Sequence, residues 1–264
     1  MRNCHLDDIR RNYYLLSIGH MKAINCFWEE RNIGKKTVEI SIGKEDRFER
    51  ALLEQQIHGY EYAVVKVPMN MPSYNIGLTE MGFTCIESQM NIGISLDDFD
   101  FTKVDHLYQD VFYKIVDNQE DFDSVLSCIE PGMFSTDRIS LDPQFGEQVA
   151  CQRYINWLTT EYENKKSLLV KVFYKSEHVG FMLIRIDGGI IDLILNGLYK
   201  QYQGRGLGLL TPASPMMFAK KNSLNIIEEV TNISSNNIPV VKLYNRLHFQ
   251  LRSQTYVYVK HLKS

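Results

Sequence analysis

The chain has 264 residues, of which 44% are hydrophobic and 23% charged, and it carries a formal net charge of −3. This is the composition of an ordinary globular protein with a core to bury. It gives no basic field for a phosphate backbone, which excludes nucleic acid as the principal partner and points to a small acceptor molecule.

Cys4, Cys26, Cys85, Cys128 and Cys151 are odd in number and widely spaced, without a Cys-x-x-Cys pair. That pattern offers neither a zinc site nor a disulfide framework, so no metal is expected and the thiols read as reduced and mostly buried. Residues 1–12 are charged and polar and do not resemble a signal peptide. No apolar run approaches the roughly 20 residues that a membrane span needs, so the expected location is the cytoplasm.

Along the chain, Leu6 to Trp28 mixes charge with apolar residues and stays open between strand and helix. Alternation predicts a strand over Thr37–Ile42, helical spacing of Phe48, Leu52 and Leu53 predicts a helix over Lys44–Gln56, and Tyr62–Val67 is an apolar strand-like run. Next come a helix through Met81, Gly82-Phe83, and a strand from Ile86 to Ile94. The acidic, aperiodic stretch Asp97–Gln109 reads as a linker, which places a boundary near residue 110 and divides the chain into 1–110 and 111–264.

The second part opens with a strand at Tyr113–Val116 and a helix at Gln119–Ile129, stopped by Pro131-Gly132. The loop from Met133 to Phe145 is longer than a connection requires, as functional loops often are. A helix over Gln148–Tyr162 leads to strands at Leu168–Tyr174 and Val179–Ile186, and Asp187-Gly188-Gly189 turns into the apolar run Ile190–Leu198. A strand is expected at Leu224–Val230, a helix at Pro239–Leu247 and a last strand at Tyr256–Val259. The order helix, turn, Phe, strand thus occurs twice, at Ile76–Ile94 and at Val241–Val259, which suggests two copies of one unit.

Between the run Ile190–Leu198 and the following helix lies Gln203-Gly204-Arg205-Gly206-Leu207-Gly208. Glycine at every second position lets a polyanion approach the backbone and leaves the N–H groups of the first helical turn free to bind it. No Lys-Ser or Lys-Thr follows, which excludes a P-loop, and the strand hairpin upstream speaks against a dinucleotide fold. Thr211-Pro212-Ala213-Ser214-Pro215 sets two prolines in the helix after the loop, where a kink or break is expected at ~3 kcal/mol for an interior proline.

Leu198 to Gly208 resembles the acetyl-CoA signature of the GNAT acetyltransferase superfamily, Gln/Arg-x-x-Gly-x-Gly/Ala, and Asn237 to Phe249 resembles its second signature. The resemblance implies an α+β GNAT fold with a mixed, mostly antiparallel sheet, preceded here by a degenerate half-GNAT domain. It implies acetyl-CoA as co-substrate, with Leu198 and Tyr199 meeting the thioester end, Gln203, Gly204, Arg205, Gly206, Leu207 and Gly208 holding the diphosphate, and Asn237 and Tyr244 beside the pantetheine arm. Tyr244 matches the family's general acid, although Val240, Val241, Tyr244 and Leu247 also form one apolar stripe on which a tyrosine can simply pack. Asn237 also suits a helix N-cap.

By the two-residue period of a strand, Asp192, Ile194 and Asn196 share a face. Asn196 is read as orienting an amine or a water; Asp192, Glu228, Glu229 and Thr231 leave the general base open. His248 replaces the usual glycine of the second signature.

Arg138 to Phe145 resembles a segment of the TDP-fucosamine acetyltransferases, Arg-(Phe/Tyr)-x-x-Asp-Pro-x-Phe, with Ile139 in place of the aromatic. That resemblance implies a nucleotide-linked aminodeoxysugar as acceptor, a role in polysaccharide biosynthesis, and Arg138, Phe134 and Asp142 as substrate-binding residues. Alternatives are acetylation of a peptide or other small amine, and a non-catalytic acyl-CoA-binding module. A homodimer is left open.

Overall fold

The computed structural model describes residues 21–263; Cys4 and the first part of the Leu6–Trp28 segment lie outside them. By internal contacts the chain forms two compact units, one comprising Met1–Gln89 with Ser253–Ser264 and the other Met90–Arg252.

The first unit contains β1 (Lys22–Asn25), α1 (Phe27–Ile33), β2 (Thr37–Ser41), α2 (Arg50–Ile57), β3 (Tyr62–Pro68) and α3 (Pro72–Glu80). It also takes the start of β4 (Thr84–Ser95) and the end of β10 (Gln250–His261). β2 and β3 are parallel, joined through α2, and β10 lies antiparallel on the other side of β3. With both neighbours paired, Tyr62, Ala63, Val64 and Val65 are fully buried, which is why this strand reads as one unbroken apolar run.

The second unit continues with a short 3-10 turn (Phe101–Val104), α4 (Asp105–Tyr108), β5 (Val111–Ile115), α5 (Gln119–Leu126), α6 (Arg138–Leu141) and α7 (Gly146–Asn164). Then follow β6 (Leu168–Tyr174), β7 (Glu177–Asp187), β8 (Ile190–Leu198), α8 (Leu210–Lys221), β9 (Glu228–Ser234) and α9 (Ile238–Arg246). The strand order is β9-β8-β7-β6-β5. β5 to β8 pair antiparallel in succession, and β8 pairs parallel with β9. One face of this sheet is covered by α8 and α9, with Met182, Ile184, Ile191, Leu193, Met216 and Met217 at the centre of the core. The other is covered by α5 and α7, joined by stacking of Phe122 on Tyr162 at 4.1 Å.

The expected order of strands and helices is present, with shifts that have local causes. Residues 97–109, which read as a linker, belong to the second unit: Phe99, Val104 and Leu107 are buried in its core. The units divide inside β4 and inside β10 and not near residue 110. β9 starts at Glu228 and not at Leu224, because Leu224 N–H bonds back to Ala219 at the end of α8. The long loop holds the single turn α6, capped by Asp137 accepting from Ser140 N–H. Of the four described cysteines, Cys26 and Cys151 are buried, whereas Cys85 is exposed and Cys128 half-buried.

The repeated unit is matched bond by bond. After α3, Met81, Gly82 and Phe83 N–H bond to Gly77, Thr79 and Leu78; after α9, Leu247, His248 and Phe249 N–H bond to Leu243, Asn245 and Tyr244. This is a left-handed helix stop, with φ of 79° at Gly82 and 65° at His248. The second copy carries Asn237 and Tyr244 where the first has Met71 and Leu78.

A Cβ at Gly180 would lie 2.3 Å from the Gly197 carbonyl oxygen, a backbone atom that cannot swing away. Gly180→Ala is expected to destabilise the protein by at least ~1–3 kcal/mol, the usual cost of overpacking. Thermal unfolding would measure this, and an unchanged midpoint would refute the close approach of β7 and β8.

Candidate functional site

Three features converge at the C-terminal end of β8. The first is a fork. β8 extends to Leu198 and β9 to Ser234, yet their pairing ends at Leu193 opposite Thr231. A bulge causes the parting: on β7, Leu183 faces Leu195 and Ile184 faces Leu193, so Ile194 is the extra residue and bends the strand. At the crotch, Thr231 Oγ1 donates to the Leu193 carbonyl at 2.8 Å. Beyond it, Tyr199 N–H bonds to Val179 on β7. Strand alternation therefore turns the Leu198 N–H the opposite way, to the edge that β9 has left.

The second feature is the glycine loop. The amide groups of Gln203, Leu210 and Thr211 bond to Lys200, Leu207 and Gly208. Between them, Arg205 N–H closes a type II turn over Gln203-Gly204, and the N–H groups of Gly204 and of Gly206 to Leu209 have no acceptor within the described protein. Gly204 and Gly206 take φ of 74° and 79°, and a Cβ at either would meet nothing within 4 Å. A run of unpaired donors at the start of a twelve-residue helix makes an anion-binding surface. Gln203 ties this loop to the fork, its Nε2 donating to the Leu198 carbonyl at 3.0 Å. The Arg205 guanidinium lies over the Tyr202 ring at 5.7 Å.

The third feature is the pair of prolines. α8 runs unbroken from Leu210 to Lys221 with Pro215 inside it, so the prolines do not break it. Pro212 falls in the first turn, where a missing N–H costs nothing. Pro215 leaves the Thr211 carbonyl without its partner four residues on, and Asn196 Nδ2 on β8 donates to that oxygen at 2.5 Å.

Tyr244 is 2% exposed, with its ring edge-on to Phe249 at 4.8 Å. Burial raises its pKa well above the usual phenol value, Glu229 nearby adds to the rise, and a hydrogen-bonding hydroxyl from Thr231 opposes it. The phenol therefore stays protonated over the physiological range. Asn237 caps α9, its Oδ1 accepting from Val240 N–H at 3.3 Å. Among the base candidates, Glu228 is ion-paired with Arg252, and Asp192 is half-buried at the start of β8. Glu229 is fully buried and neither carboxyl oxygen has a hydrogen-bond partner among the described residues.

The loop residues divide. Met133 and Phe134 reach the end of β8: the missing Cβ of Gly197 would come within 2.5 Å of Met133 Cε and 3.6 Å of the Phe134 ring. Phe134 continues into an aromatic chain through Tyr154 and Phe181. Arg138 and Asp142, by contrast, are 7% and 2% exposed, and Asp142 is engaged in turn chemistry, accepting Gln144 N–H on its side chain. The structure does not gather them with Phe134 on an open surface.

Two arrangements carried little sequence signal. The fork depends on a bulge that no residue type announces. The pair His178–Tyr199, with Nε2 and Oη 2.9 Å apart, joins residues on different strands. Burial, helped by Lys171, lowers the His178 pKa to about 4, so its ring is neutral at physiological pH.

Burial raises the Glu229 pKa well above the usual carboxyl value of 4.5. The folded protein thus holds a proton that the unfolded chain releases, and this group's contribution to stability is full below the unfolded pKa and is lost as pH rises through the folded one. Glu229→Gln, which cannot ionise, is expected to gain stability over the parent progressively as pH rises above the unfolded carboxyl value. Unfolding midpoints across that range would test it, and a gap independent of pH would show that Glu229 does not hold the proton.

No family model matches the chain, and no curated protein matches it. Its fold does match solved structures. A GCN5-related N-acetyltransferase from Sphaerobacter thermophilus aligns with a TM-score of 0.62 at 11% identity, covering 99% of this chain and 87% of that one. One from Kribbella flavida gives 0.56 at 13%, covering 86% and 82%. A tandem GNAT protein from the clavulanic acid biosynthesis pathway gives 0.56 at 12%, covering 86% and 76%. At such identities the likeness is one of architecture, and by it this chain has the GNAT fold, with a mixed sheet and an arrangement in two parts.

Proposed function

We propose that the protein is an acyl-CoA-dependent N-acyltransferase that moves an acetyl group directly to the amine of a small molecule. The observation that carries this reading is the set of N–H groups at Gly204 and at Gly206 to Leu209 that have no acceptor among the described residues, set beside a strand edge that β9 abandons. A diphosphate is a matching acceptor for the first, and an amide-bearing arm such as pantetheine suits the second.

In this reading the Leu198 N–H faces the thioester carbonyl and stabilises the oxyanion that develops there. The neutral amine attacks the carbonyl carbon, the carbon–sulfur bond breaks, and Tyr244 gives its proton to the departing thiolate while the new ammonium loses one to water. Tyr199 and Gln203 shape the thioester end, Arg205 lies by the diphosphate, and Asn237 presents its amide nitrogen to the arm. Asn196, expected from the sequence to orient the amine, instead spends its amide nitrogen on Thr211.

Phe134, set against Gly197, gives the acceptor side an aromatic wall. A nucleotide-linked aminodeoxysugar is the narrower proposal for the acceptor. It rests on the resemblance of residues 138–145 and on this ring, and it gains nothing from Arg138, which is buried. The first unit is proposed to be a degenerate copy whose helix stop is retained without the site residues.

Titration calorimetry with acetyl-CoA tests the reading: saturable binding is expected, and its absence at millimolar ligand would refute it. Gly206→Glu puts an anion against the diphosphate and is expected to abolish that binding while leaving the protein folded; retained affinity would place the diphosphate elsewhere. Tyr244→Phe is expected to lower turnover about 10²–10⁴-fold, the usual share of a general acid, with cofactor affinity nearly unchanged. Unchanged turnover would remove Tyr244 from the chemistry.

A further inference from the structure

The prolines of α8 and the asparagine of β8 are the two places where this sequence is least expected for its fold, and the structure joins them. A helix with Pro215 inside it lacks one N–H, and the carbonyl that loses its partner is that of Thr211, the second residue of α8. The donor supplied instead is the Asn196 side chain, reaching from β8. Asn196 lies opposite Met182 on β7, two residues before Leu198, on the part of β8 that has already left β9. Thr211 follows directly on the glycine loop, whose last unpartnered N–H belongs to Leu209.

We infer that Asn196 is a positioning residue that works as a pair with Pro215: its amide stands in for the missing helical N–H and so fixes the start of α8, and the donor surface at its end, to the open edge of β8. With proline in the helix, the donor that the Thr211 carbonyl receives comes from the strand. A helix of ordinary sequence would satisfy that carbonyl internally and would be free to slide against the sheet. The arrangement exchanges a local bond for one across two elements, so the loop and the strand edge are held in one register. This rests on the proposed function only where cofactor binding is concerned; the bond and its coupling to Pro215 concern the fold itself.

The test is a double-mutant cycle on Asn196 and Pro215, read by urea unfolding and by coenzyme A titration. In the parent, Asn196→Ala leaves the Thr211 carbonyl without a donor and is expected to lower the folding equilibrium constant about tenfold. Coenzyme A affinity is expected to fall with it. Asn196→Asp, nearly the same shape but unable to donate, is expected to behave like the alanine variant; if it is harmless, Asn196 only fills space and the inference fails. In a Pro215→Ala background the helix regains its own N–H, and the cost of Asn196→Ala is expected to shrink to less than about threefold.

Equal cost in the two backgrounds would overturn the pairing. So would a fall in turnover alone, with stability and coenzyme A affinity unchanged, because that is the signature of a side chain acting on the amine. If the parent binds no coenzyme A, the proposed function fails, whereas the unfolding cycle still decides the pairing.

Discussion

The parting of β8 from β9 is the constraint on which the site depends. Two parallel strands that stayed paired to their ends would satisfy every backbone group and leave nothing for a ligand. Here one extra residue, Ile194, turns β8 after Leu193, and the donors beyond it face a gap. Thr231 closes the crotch with its hydroxyl on the Leu193 carbonyl, which stops the opening from running further into the core, where Ile191 and Glu229 are fully buried. The polar groups exposed by the fork are thus confined to the end of the strand where the glycine loop also begins.

The elements around the fork each keep one group in position. Gln203 links the loop to the carbonyl of Leu198, Asn196 links α8 to the strand, and Asn237 fixes the first turn of α9, which carries Tyr244. All three are side-chain amides, which can donate and accept without titrating. Two titratable groups near the site, Tyr244 and Glu229, are held toward their neutral forms by burial. A site that binds a polyanion gains from this, because neither sets a buried negative charge against the ligand.

Much of the fold was legible in the sequence, because β2, β3, β6 and β7 are buried on both faces over most of their length and read as apolar runs, while α5 and α9 each carry one apolar stripe. The loop at 203–208 was legible for a different reason: alternating glycines are a direct record of required backbone conformation. The likeness between the two helix stops was readable too, since Gly82-Phe83 and His248-Phe249 follow helices of similar pattern. What could not be read was long-range compensation. A proline in a helix appears as a local defect until the strand residue that repairs it is found nineteen positions away, and a bulge is visible only in the pairing of two strands. Arg138 and Asp142 mislead in the opposite direction, since a short motif gives their type and spacing but not their burial.

The first unit takes its last strand from the opposite end of the chain: Thr255 to His261 lie along Pro68 to Tyr62 and cover one edge of β3. During synthesis that strand leaves the ribosome after the other nine described strands. Until then β3 has its bonding groups bare on one side, in a segment apolar enough to attract another chain. The first unit, although most of its residues precede those of the second, is therefore completed after it, and a truncation after Arg252 would injure the first unit more than the second.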